Sequence, residues 1–149
     1  MTITVIKSGI FYNAKVASFA FSDMLSLSNE LVASKLAISS DDSELIYYFI
    51  EQGVASVLDF LPQTTESTNT QDGFTLTIPT GLNYNPVQTS GIEVGIKTYI
   101  MNYVLNEWYK LKYPERCQFH IMAMEQDRSN INSRLNKRTI PVRRGQSPW

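Results

Sequence analysis

Two stripes of apolar residues at helical spacing, separated only by Tyr113-Pro114, leave the C-terminal part of this chain little choice of fold. In the first, Ile92, Ile96, Tyr99, Ile100, Tyr103, Val104, Trp108 and Leu111 recur every three or four residues, which predicts one long helix over 91–112. In the second, Cys117, Ile121, Met124, Arg128, Ile131 and Leu135 step by four, three, four, three and four. That spacing predicts an amphipathic helix over 114–138, with Pro114 at its first position. So short a link makes the two helices antiparallel neighbours. Trp108 and Tyr103 are expected between them, and Gly91 and Gly95, four apart, suit close helix packing.

A third helix is predicted over 42–61. Asp41 and Glu44 have the spacing of a capping box, and Leu45, Phe49, Val54, Val57, Leu58 and Leu61 face inward before Pro62 stops the helix. Ile46, Tyr47 and Ile50 extend its apolar surface nearly all the way round, which calls for burial on more than one side, inside a bundle or against a neighbouring subunit. Thr2-Ile3-Thr4-Val5-Ile6 and Phe74-Thr75-Leu76-Thr77-Ile78 share one alternating pattern and are expected to pair, with Gly9 breaking the first and Pro79 ending the second. Phe11, Val16 and Phe19 suit a short helix within 11–24, and 31–38 is ambiguous. The stretches 63–73 and 80–90 are polar loops; as long loops without structure of their own they are expected to contact neighbouring chains. The fold class is mainly α with a small β element: three long helices, and short strands or a hairpin.

Composition bounds the chemistry. A chain of 149 residues, 43% apolar and 18% charged, is one globular domain rather than a disordered segment. The single cysteine, Cys117, excludes an intramolecular disulfide and a cysteine-cluster metal site, and fits a reducing compartment. No signal peptide and no membrane span is read. The one histidine, His120, follows Cys117 by three residues, so a Cys–His pair is geometrically feasible on one helix face, with no third or fourth ligand for a metal. The plainer reading is a buried Cys117 beside a partly exposed His120. With no phosphate loop, dinucleotide fingerprint or hydrolase elbow, no active site, metal or cofactor is expected.

Charge is distributed unevenly. Residues 128–149 hold six Lys or Arg (Arg128, Arg134, Lys137, Arg138, Arg143 and Arg144) and no Asp or Glu, whereas the rest holds seven basic and fourteen acidic side chains. A partner is implied. Residues 1–138 are expected to form the domain and 139–149 an extended arm, in which Ile140, Pro141, Val142 and Trp149 are apolar anchors. Its arginines suit acidic protein surface and nucleic-acid phosphate equally.

The layout from Asp41 to Arg144 resembles the small head–tail connector (adaptor, or head-completion) proteins of tailed bacteriophages. The resemblance is carried by a helix closing in Leu61-Pro62, the strand Phe74-Thr75-Leu76-Thr77-Ile78-Pro79, the helix with Tyr103-Val104-Leu105-Asn106-Glu107-Trp108-Tyr109, and the ending Lys137-Arg138-Thr139-Ile140-Pro141-Val142-Arg143-Arg144. It implies a homo-oligomeric ring of about a dozen copies in the virion at the head–tail junction. It further implies made-in-host-cytoplasm synthesis, packaged DNA passing through the lumen, tail or connector proteins below, and no enzymatic activity. Portal contacts would fall on Arg134, Lys137, Arg138, Ile140, Pro141, Val142, Arg143, Arg144 and Trp149. Subunit contacts would fall on Tyr47, Ile50, Thr64, Thr65 and Tyr84. A tail terminator or tail completion protein, and a small nucleic-acid-binding protein, are the alternatives.

Overall fold

The computed structural model describes residues 1–28 and 30–139. In chain order the elements are β1 (Thr2–Ile6), α1 (Lys7–Ser26), α2 (Glu30–Ala33), α3 (Ser43–Phe60), β2 (Glu66–Asn69), β3 (Gly73–Thr77), α4 (Thr89–Lys112) and α5 (Cys117–Leu135). Single 3-10 turns lead into α3, α4 and α5 at Ser40–Asp42, Pro86–Gln88 and Pro114–Arg116. The molecule is mainly helical with one small sheet, as its sequence predicts.

The two Thr/aliphatic strands pair as expected, antiparallel from Thr2↔Thr77 to Ile6↔Gly73. Alternation puts Ile3 and Val5 on the inner face opposite Leu76 and Phe74, and all four are buried. The stretch 63–73 is not a loop throughout. Its residues Glu66–Asn69 form an edge strand on β3, so the sheet order is β1-β3-β2.

The core is organised around α4. Ile92, Ile96, Ile100 and Val104 form the expected stripe, but Asn102, Leu105, Asn106, Trp108 and Tyr109 are buried too, so this helix is enclosed on most of its circumference. Expected seam residue Leu111 is exposed instead. On one side lies α5, antiparallel, and the two come close where Gly95 faces Ile131: a Cβ at Gly95 would sit 2.9 Å from Ile131 Cγ1. On another side lies α3, where Gly53 admits Ile100 and Tyr103. Tyr103 therefore packs half-buried on α3 rather than between the C-terminal helices. Trp108 also faces elsewhere than expected. It is 2% exposed, and its indole N–H donates to the Leu36 carbonyl at 2.7 Å, pinning the 34–38 segment over the core.

The all-round apolarity of α3 is satisfied inside the chain, by α4 on one side and α1 on the other. Lys7–Glu51 at 2.9 Å, Phe11 edge-on to Tyr47 and Lys15 near Ser40 place α1 antiparallel along α3. Here Leu45 is partly exposed, and Ile46 and Ile50 take the inward positions. The capping arrangement sits two residues earlier than the sequence suggests: the Asp42 carboxylate accepts from the Ser39 N–H at 2.8 Å and the Ser39 hydroxyl at 3.1 Å.

Expected to be short, α1 runs for 20 residues, passes through Gly9 without a break, and makes four long helices among the described residues rather than three. It also faces the other way. Its buried positions are Ile10, Ala14, Ser18 and Phe21, while Val16 and Phe19 point to solvent.

Candidate partner-binding surface

The basic end of the chain begins in the last two turns of α5. Ile131 settles into the gap at Gly95, and Arg134 crosses α4 at Gly91, where Arg134 Nη1 donates to Gln88 Oε1 at 3.0 Å. Past the helix the backbone is stapled to the 80–88 turn. The Asn85 N–H donates to the Lys137 carbonyl at 3.3 Å, Tyr84 and Arg138 form an antiparallel bridge, and the Thr139 N–H donates to the Asn83 carbonyl at 2.9 Å. Tyr84 is held in turn by its hydroxyl, 3.0 Å from Thr89 Oγ1. Pro62, Pro79, Gly81, Tyr84, Leu135 and Arg138 line a cleft at this root.

The electrostatics of the root are unbalanced. Lys7–Glu51, Lys97–Glu93 and Lys110–Glu107 are the ion pairs among the described residues, and none involves Arg128, Arg134, Lys137 or Arg138. Arg128 lies over the Phe60 ring, 5.4 Å from its centroid, and Lys137 and Arg138 are exposed. Arg134, Lys137 and Arg138 share this corner with no carboxylate partner among the described residues. Such charge is available to an external anion.

Of the expected portal-contacting residues, Arg134, Lys137 and Arg138 converge on this corner. Ile140, Pro141, Val142, Arg143, Arg144 and Trp149 lie outside the described residues. The expected subunit-contacting residues do not form one surface. Ile50 is fully buried against the chain's own core, which removes it from any interface. Tyr47 is half-buried on Phe11, and Tyr84 is committed to the stapled root. Thr64 is exposed, and Thr65, half-buried, sits in the turn entering β2, where its N–H donates to the Pro62 carbonyl.

Cys117 and His120 are both buried, His120 against expectation, and they do not bond to each other. Cys117 Sγ contacts the Asn106 carbonyl at 3.6 Å, and burial pushes its thiol up, away from the reactive thiolate. His120 stacks on Tyr109. The Asn102 amide donates to the Thr98 carbonyl and Asp127 Oδ2, so its Oδ1 accepts from His120 Nδ1–H at 2.9 Å. Burial, and then the Arg116 charge, lower the His120 pKa to about 4, while burial raises Asp127. This cluster knits α4 to α5 and keeps its imidazole neutral. Among the described residues no group of three or more His, Cys, Asp or Glu could hold a metal ion. No described helix is long and apolar enough to cross a membrane.

The surface that sequence reasoning missed lies on α1. Tyr12 at 65%, Val16 at 50% and Phe19 at 57% exposure line a concave strip with Lys15, Ala20 and Asp23. Large apolar side chains at helical spacing look like core in a sequence, and here they are not. Comparison with known proteins found no matching family model, no matching curated protein and no matching solved structure.

Proposed function

We propose that the chain is a structural, non-enzymatic virion protein, a homo-oligomeric ring that joins the portal to the tail and docks through residues 134–149. One observation carries this reading. Arg134, Lys137 and Arg138 are gathered, with no carboxylate partner among the described residues, at a corner whose backbone is fixed by Asn83, Tyr84 and Asn85. A rigid root lowers the ordering cost of whatever follows it, and unpaired cations steer it to an acidic partner. In this reading residues 139–149 are the arm, with Ile140, Val142 and Trp149 as anchors and Arg143 and Arg144 adding charge-assisted bonds. The long-helix bundle is the platform that presents it. The resemblance to phage connectors supplies the partner, and the acidic balance of the remaining chain, seven basic against fourteen acidic side chains, disfavours a free DNA binder.

The test is reconstitution with the portal protein of the same virion. The full chain is expected to co-sediment with portal rings, and a chain ending at Thr139 is expected to stay folded and remain free. Equal portal binding by the truncated chain overturns the proposed role of the arm. Binding to DNA but not to portal replaces the connector reading with the nucleic-acid one.

A further inference from the structure

Two exposed surfaces of the molecule complement each other. The first is the outer face of α1, where Tyr12, Val16 and Phe19 form an apolar strip that continues to Leu27, 90% exposed. Asp23 lies on the strip itself; Glu30 starts α2, which follows α1, and Asp41, Asp42 and Glu44 follow Ser40, which Lys15 of the strip reaches. These five outnumber the neighbouring Lys15 and Lys35. The second surface is the corner where α4 starts. Leu82 is fully exposed and Val87 is 78% exposed, and beside them stand Arg134, Lys137 and Arg138. One surface is apolar and anionic, the other apolar and cationic.

The Phe19–Leu27 end of the strip lies far from that corner. Phe21 of α1 packs on Tyr109 near the end of α4, whereas Arg134 crosses α4 at Gly91. Those two points are about 27 Å apart at 1.5 Å per residue. A two-fold dimer on either surface alone would set like charges against each other. A head-to-tail contact sets carboxylates against cations and covers both apolar strips at once.

We propose that copies of this chain associate heterologously, the α1 face of one seated on the Leu82–Val87 side of this corner of the next. A contact of this kind repeats, and closes into a ring when its rotation permits. The proposal rests on the ring reading given above for the meaning of closure, but the contact itself requires no portal.

Sedimentation of the full chain over a range of concentrations, without portal, tests it. The wild-type mass is expected to rise with concentration. Phe19→Asp on one surface, and Val87→Asp with Leu82→Asp on the other, outside the proposed portal contacts, are each expected to weaken association by roughly tenfold or more. All three positions are exposed, so thermal unfolding of the monomer should be unchanged; Phe19→Ala and Val87→Ala provide milder versions with the same direction of effect. Mixing the two aspartate variants is decisive. Each retains the surface the other has lost, so the mixture is expected to yield one-to-one dimers and nothing larger. A wild-type chain monomeric at every concentration, variants that associate as wild type does, or a mixture without dimers overturns the proposal. Association that survives while portal binding fails keeps this interface and removes the connector reading. Portal binding by a chain that stays monomeric alone does the reverse.

Discussion

Burial of His120 makes one residue a reporter of the α4–α5 seam. Unfolded, this imidazole takes up a proton near its ordinary pKa of 6.5; folded, only near about 4. Between those values the unfolded state binds more protons, so the His120 contribution to stability is full above pH 6.5, falls as pH drops through the window, and levels off below about 4. The loss is about 3 kcal/mol at most, from 1.36 kcal/mol per pH unit. Asp127 works in the opposite direction, because its carboxyl is raised. Comparing urea unfolding at pH 7 and pH 5 for the wild type and His120→Gln isolates the histidine: the variant is expected to lose less stability. Equal losses would show that the imidazole is not held neutral. Trp108 carries a larger single effect. Trp108→Ala removes a buried indole and orphans the Leu36 carbonyl, and is expected to cost about 3–5 kcal/mol, measurable in the same unfolding experiment. A loss below about 1 kcal/mol would place the indole outside the core.

Between elements, packing depends on small residues as much as on large ones, and this is where the sequence was partly legible. The shared Thr/aliphatic alternation of β1 and β3 foretold their pairing, and the Gly91/Gly95 spacing foretold close helix packing, which the structure assigns to α5. By contrast, β2 is exposed at all four positions, so no alternation marks it. The facing of α1 was hidden for a related reason: it turns Ala14 and Ser18 inward, where Ser18 Oγ accepts from the Ile38 N–H at 2.9 Å, and leaves its bulkier Val16 and Phe19 outside. Deleting residues 64–70, harmless if the segment were a loop, removes β2 and should lower thermal stability. At the glycine seam, Gly95→Leu drives a side chain into Ile131 and is expected to cost about 1–3 kcal/mol. Trimming the neighbour relieves the overlap, so a cycle with Ile131→Ala should show a coupling of at least about 0.5 kcal/mol. Strict additivity would mean that the helices can separate at no cost.

Across the whole molecule, the sequence disclosed the cations of the candidate site but not their setting. Nothing in the order of residues shows that Arg134 finds a glutamine rather than a carboxylate, or that Asn83 and Asn85 clamp the chain before Ile140. In the connector reading, that setting divides the work of docking. Lys137 and Arg138 are exposed and unpaired among the described residues, so they act on the approaching partner through long-range attraction, which salt screens over about 10 Å at 0.1 M. In that reading the proposed apolar anchors Ile140, Val142 and Trp149 act only after contact. Replacing Lys137 and Arg138 with Gln is therefore expected to slow association with portal and flatten its salt dependence, with dissociation little changed. Trp149→Ala should do the opposite, speeding release while leaving the salt dependence of association intact. Stopped-flow or surface-binding kinetics at two ionic strengths separates the two. Were nucleic acid the partner, the anchors would be dispensable and each cation removed would lower the salt slope by about one unit. A Trp149→Ala chain that releases portal at the wild-type rate would leave the arm as a purely electrostatic device, and the connector reading would lose its apolar half.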